Sequence, residues 1–182
     1  IAAEAGVQVA LVGYYFGAKH ELYRAIFESW VPSIRQRRAL LAEAMAAERT
    51  PSTLRDVLDA FVDPLVQLQA DPQGRHFARM AARDLAAPTP EADANNREFF
   101  DPMAHAFIDA LQALFPRHTR EQVAWCYQFM LGAVLHYLSD VRVERLSRGA
   151  AKAADPARKD MLLDFIAAGF RGVLGREVAV AA

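Results

Sequence analysis

Apolar positions recur at helical spacing along almost the whole chain, and no stretch alternates with the two-residue period of a strand. Leu54, Val57, Leu58, Phe61, Leu65 and Leu68 form one stripe over four turns. Thr50-Pro51 offers that helix an N-cap and a first-turn proline. Pro64 falls inside it, where a proline makes a kink whose freed carbonyls can face a cavity. Asp71-Pro72 starts a helix carrying Phe77, Met80, Ala81 and Leu85, and Ala87-Pro88-Thr89-Pro90 is a loop. Phe100, Met103, Phe107, Leu111 and Leu114 make the next stripe, which Pro116 stops. Asp101-Pro102 either opens a helix there or kinks a longer one.

Thr119 and Gln122 fit a capping box, and the helix they open is predicted to run to about Arg145. Val123, Tyr127, Met130, Val134, Leu138 and Val141 lie along one side of it, with Trp125, Phe129, Gly132, Ala133 and His136 nearly opposite. A helix apolar on two opposed faces is buried on both, so one face packs on its own core and the other needs a second layer, most simply a second subunit. Residues 142–160 are polar and charged and are expected to form a mobile connection, with Asp155-Pro156 a possible helix start. A last helix near 160–174 carries Met161, Phe165, Ala168, Gly169 and Gly172, and Gly175 stops it. The expected two-fold interface uses both helices, through Trp125, Phe129, Gly132, Ala133, His136, Phe165, Ala168 and Gly169.

At the other end, Lys19 to about Glu48 is one helical stretch with an inner face at Leu22, Ala25, Ile26 and Ser29/Trp30. Pro32 is expected to bend or divide it. Arg35, Arg37 and Arg38 form a basic cluster, read as a solvated helix face with phosphate contact as the alternative. Before it stands IAAEAGVQVALVGYYFGAK. Ile1 to Ala5 reads as the end of a helix that Gly6 breaks, and Val7 as an apolar anchor. A short helix then runs from Gln8 or Val9 to Tyr15 or Phe16, with Gly17 at its end and Lys19 opening the next. Two helices across a short glycine turn form a helix-turn-helix, whose second helix enters the DNA major groove.

Composition both supports and strains this reading. Alanine and leucine are abundant, which favours helix, and 53% hydrophobic residues mark a globular chain. Net charge is −1, and residues 1–48 hold five basic and five acidic side chains. A positive footprint for DNA must therefore be local, at Lys19 and Arg24, or precede Ile1. The chain does not begin with methionine and is expected to be part of a longer protein.

No catalytic constellation appears, so no enzyme and no cofactor is expected. The five histidines (His20, His76, His105, His118, His136) lack metal-ligand spacing, and there is no glycine-rich phosphate loop. Cys126, the single cysteine, sits in an apolar helix and reads as inert. No apolar run approaches the roughly 20 residues of a membrane span, and no signal peptide is visible, so a cytoplasmic location is expected. Asp84 beside Arg83 reads as an ordinary ion pair; a buried Arg83 would instead meet a ligand carboxylate through two bonds.

The amino-terminal string resembles the TetR family of bacterial transcriptional regulators. Ile1, Ala2, Ala5, Gly6, Val7, Val12, Tyr14, Phe16, Gly17 and Lys19 stand where the family's pattern asks. Gln8 replaces the usual serine, Ala18 a serine or asparagine, and Tyr15 a common histidine, while Gly13 falls mid-helix. The resemblance implies an all-α fold. A three-helix DNA-binding head, which this chain enters inside the second helix (1–31), stands on a helical-bundle body for ligand binding and dimerisation (32–182). It implies Gln8, Val9, Ala10, Gly13 and Tyr15 toward bases or nearby backbone, and Tyr14, Tyr15 and Lys19 on phosphates. Val7, Val12 and Phe16 would hold the helix from behind. It implies a homodimer on palindromic operator DNA, a repressor released by a small, mainly apolar effector. Phe61, Leu65, Phe77, Met80, Arg83, Met103, Phe107, Tyr127 and Met130 are the candidate pocket. The alternative is a ligand-binding or interaction bundle that no longer binds DNA.

Overall fold

The computed structural model describes residues 2–46 and 53–178, and every regular element among them is helical. Among the described residues nine α-helices run in order: α1 Val9–Phe16, α2 Lys19–Met45, α3 Leu54–Leu68, α4 Pro72–Ala86, α5 Pro90–Asn95, α6 Asp101–Leu114, α7 Arg120–Ser139, α8 Arg142–Leu146 and α9 Lys159–Leu174.

Local chemistry sets most of these boundaries. Val7 N–H donates to the Ala2 carbonyl (3.0 Å) and Gly6 N–H to Ala3 (3.2 Å), with Gly6 at φ 66°. That pair of bonds around a left-handed residue is the Schellman ending of a helical turn. Gly17, at φ 69°, closes α1 by donating to Gly13, and a Cβ there would strike the Glu21 carboxylate that caps α2 through Ala18 N–H. Asp71 caps α4, Thr89 caps α5, and Thr119 with Gln122 forms the expected box on α7. The expected Thr50-Pro51 start lies outside the described residues; within them α3 opens at Leu54, capped by Thr53 in a box with Asp56.

One expectation loses one of its two alternatives, and two are corrected. Pro32 does not divide α2, which runs unbroken from Lys19 to Met45, its proline ring exposed on the outer side. The helix opened by Thr119 ends at Ser139, not near Arg145, because Asp140 turns extended and binds the Arg142 backbone and guanidinium. The stretch 142–160 is folded: α8 is followed by a turn in which Glu144 accepts from Ala153 N–H (3.1 Å). Tyr137 then donates to the Asp155 carbonyl (2.7 Å), and Asp155 caps a 3-10 turn leading into α9.

The body packs α2, α3, α6, α7 and α9 around Phe61, Phe107, Leu58, Leu111, Val123, Met130 and Leu163, each at most 2% exposed. Burying each large side chain of this kind is worth about 1.5–3 kcal/mol. Asp101 continues α5 through a π-helical turn at Asn96–Phe100, so Asp101-Pro102 lies within one longer helical run. The inner face of α2 is Phe27, Ile34, Arg37 and Leu41; Leu22, Ala25, Ile26 and Trp30 are half-buried beside it, and Ser29 is exposed. Arg37 therefore leaves the expected surface cluster, in which Arg35 and Arg38 remain.

Candidate functional site

Three features bear on function: a cavity in the body, an apolar outer face, and the exposed short helix α1. The cavity holds about 500 Å³ between α2, α3, α4, α6 and α7. Phe61, Leu65, Phe77, Met103 and Tyr127 line it, five of the residues marked in the sequence. The other four do not line it. Phe107 and Met130 are packed core, Met80 is half-buried on α4, and Arg83 is exposed and paired with buried Asp84 at 3.1 Å.

The wall contains polar groups that the sequence reading missed. Arg37 is 4% exposed, with its guanidinium carbon 5.6 Å from the centre of the Phe61 ring. It makes no hydrogen bond or ion pair among the described residues, and its Nε is buried without a partner. Burial holds the group down to about 10, with Tyr127 opposing the shift slightly. Tyr127, itself buried, is pushed up to about 12 by desolvation, so its phenol stays protonated. Asp101, Gln128, His136 and Ser139 complete the polar part of the lining. The missed signal is one of phase. Arg37 falls three residues after Ile34 and four before Leu41, on the buried stripe of α2.

The cavity wall also joins the first turns of α2, the helix that follows α1. Phe77 and Phe100 line the cavity, and both meet Phe27 of α2 edge to face, at 5.6 and 5.9 Å. Phe27 is wholly buried and also touches Tyr23 and Phe99, while Trp30 stacks on Phe77 at 5.0 Å. The Tyr23 hydroxyl donates to Asp84, and burial with that bond pushes the phenol up to about 12. Arg24 forks onto Glu98 with two bonds of 2.5 Å, pairs with Glu28, and lies over the Phe99 ring.

Those bonds remove Arg24 from the cations expected near DNA. Lys19 makes no ion pair within 4 Å among the described residues, and α1 itself has no buried residue. Gln8, Val9, Ala10, Gly13, Tyr14 and Tyr15 are all exposed, Val9 at 78% and Tyr14 at 81%. Of the residues expected behind them only Val12 is half-buried; Val7 and Phe16 stay exposed, and the contacts of α1 are with α2.

The outer face belongs to α7 and α9, which pack side by side. Trp125, Phe129, Met161, Phe165 and Val173 are all more than half exposed there, flanked by Ala168 and Gly169. A groove of about 150 Å³ runs between the helices over Phe129, Ala133, Phe165 and Gly169. Cys126 lies at its floor, buried, with its thiol pushed up by desolvation. Ala133 is half-buried, whereas Gly132 and His136 sit on the edge of α7 and line the cavity instead of the groove.

Among the described residues no group of three His, Cys, Asp or Glu could hold a metal ion, and no helix is long and apolar enough to cross a membrane. Comparison with curated proteins gives no match. The family model described as the tetracyclin repressor-like C-terminal domain matches residues 59–169, from within α3 to within α9. That span includes most of the cavity wall and the α7–α9 face, and it covers more than half of the chain. With an all-helical body of this layout, the match places the chain in the TetR family.

Proposed function

We propose that the protein is a homodimeric transcriptional regulator that binds palindromic double-stranded operator DNA through α1 and releases it when a small, mainly apolar effector fills the body cavity. The observation that carries this is the sharing of Phe77 and Phe100 between the cavity wall and the aromatic cluster around Phe27. A molecule displacing either ring moves the α2 segment that begins directly after α1. In this reading Gln8, Val9, Ala10, Gly13 and Tyr15 face bases or nearby backbone, and Tyr14, Tyr15 and Lys19 face phosphates. Phosphate contacts hold register and base contacts set sequence. Release requires the effector to prefer the DNA-incompatible arrangement of heads.

The neutral charge of residues 1–48 and the capture of Arg24 by Glu98 favour a second reading, an interaction bundle that no longer binds DNA. Selection from random duplex DNA with the full-length protein separates the two. A regulator enriches a palindrome and is eluted by salt with a steep log–log slope. Absence of salt-dependent retention on any duplex would leave the second reading standing.

A further inference from the structure

We infer that the cavity's ligand carries one anionic group of carboxylate type on an apolar or aromatic body, and that Arg37 receives that group. The inference rests on the reading of the cavity as an effector site. Arg37 is the starting point, because a charge buried without a counter-ion is among the costliest features a core can hold. Other arginines of the body that enter ion pairs, such as Arg55, Arg120, Arg142 and Arg171, do so at the surface with carboxylates within 3.4 Å. Arg37 is 4% exposed, lines the cavity, and has neither hydrogen bond nor ion pair among the described residues.

The geometry leaves the right part of the group free. The guanidinium carbon lies over the Phe61 ring, 5.6 Å from its centre. A cation–ring contact uses none of the guanidinium N–H groups, and the fork of those groups matches the two oxygens of a carboxylate. Tyr127, on the same wall, brings a second donor, since its hydroxyl also has no partner among the described residues and burial keeps it protonated. Two buried donors without partners in one wall call for an acceptor, and a charged one answers the Arg37 cation as well.

The rest of the wall sets the remaining chemistry. Leu65, Phe77, Leu85, Met103 and Leu131 offer hydrocarbon, and about 500 Å³ falls in the range of a drug-sized ligand. Asp101 also lines the cavity but is exposed and makes no contact with Arg37 within 4 Å. Its charge also acts on Tyr127 and disfavours negative charge on the ligand beyond the one that answers Arg37. His136, the other titratable group of the lining, points its Nδ1 at Asp140, 3.7 Å away.

Two fluorescent probes that differ only in charge test this on the full chain: anilinonaphthalene sulfonate and its neutral parent, phenylnaphthylamine. Arg37→Met is expected to weaken the sulfonate dye about tenfold or more while leaving the neutral dye as tight or tighter. Arg37→Lys should retain part of the preference. Ala82→Trp, which fills the cavity, should lower binding of both dyes. If the wild type binds neither, or Ala82→Trp leaves both bound, the effector-cavity reading fails and this inference with it. If both dyes enter the cavity and Arg37→Met changes them equally, the cavity stands and the anion assignment falls. Should Arg37→Met not fold, Tyr127→Phe with Arg37→Lys carries the same test: the sulfonate dye alone weakens, or the assignment is wrong.

Discussion

Phe27 of α2 and Phe77 of α4 meet edge to face with ring centres 5.6 Å apart, and the second ring is at once a wall of the cavity. Phe27 lies eight residues after the start of α2, so a displacement of Phe77 acts close to the junction with α1. The contact is direct and needs no chain of intermediates.

Phe27→Leu is expected to cost about 1–2 kcal/mol in urea unfolding, because the site is fully buried but a branched apolar side chain refills most of it. Trp30 reports on the same contact, since it stacks on Phe77 at 5.0 Å. In a Trp125→Phe background, filling the cavity with a non-absorbing apolar molecule should shift Trp30 emission, and Phe27→Leu should reduce that shift. An emission unaffected by ligand in the parent would disconnect the cavity from α2.

Arg37→Met is expected to stabilise the unliganded protein by about 1–3 kcal/mol, as happens when a poorly compensated buried charge gives way to hydrocarbon of similar length. The sign follows from protonation. Burial lowers the folded-state value of Arg37 to about 10, below its ordinary one, so the unfolded chain holds the proton more tightly. The charged form therefore penalises folding throughout the neutral range, and this penalty fades only as pH rises past about 10. Thermal unfolding at pH 7 gives the check. A large loss of stability would assign Arg37 a structural role through water.

Periodicity with caps and prolines located the long helices of the body, α3, α4, α6, α7 and α9, because their stripes are made of large residues, and it missed the short α5 and α8. It failed where polar residues decide the outcome. Asp140 ends α7 with its own side-chain bonds to Arg142, and nothing in the apolar pattern, which continues to Val141, marks that stop. Arg37 was legible by phase but was grouped with Arg35 and Arg38 by type, and type lost to geometry. Within the cavity, Phe61, Leu65, Phe77, Met103 and Tyr127 were visible as large residues on facing stripes. Phe107 and Met130 look the same in sequence, and only the packing separates filler from wall. Small residues of the wall such as Ala78 and Ala82 give no sequence signal at all, since a cavity is made by what is not there.

Lys19→Ala in the full-length protein is expected to weaken DNA binding about equally for all sequences and to reduce the log K against log salt slope by about 1. Lys19 opens α2 directly beyond α1 and has no ion pair among the described residues. Arg24→Ala should change the slope much less, because Glu98 and Glu28 already hold that cation. A slope unchanged by Lys19→Ala would remove this residue from the phosphate contacts.

Phe165→Glu and Phe129→Glu are each expected to convert a dimer into a monomer at micromolar concentration, read by sedimentation equilibrium. The two side chains are 71% and 64% exposed on adjacent helices, and a self-complementary interface repeats each substitution on both sides. A wild-type monomer, or a dimer indifferent to both changes, would move the interface off α7 and α9.

Dimerisation and DNA reading then constrain each other. Two α1 helices serving one palindrome enter successive major grooves on one face of the duplex, with centres about 34–36 Å apart in the DNA-bound form. α1 leads directly into α2, which runs without a break through Pro32 into the body core. Arg24 with Glu98 and Phe27 with its ring neighbours tie the same helix to α4 and the π-helical turn. The separation of the heads therefore follows the angle between the two bodies and the tilt of α2. Filling the cavity presses on Phe77 and Phe100, so the liganded dimer should hold its heads several ångströms further apart. Spin labels at Glu4→Cys, exposed beside α1 and outside the DNA-facing set, measure this by electron–electron dipolar coupling, and Cys126, being buried, leaves the label specific. The expected record is a distance compatible with one helical turn on DNA and a longer one with ligand. An identical distribution in both states, with the cavity demonstrably occupied, would defeat release by head separation and leave the ligand acting elsewhere.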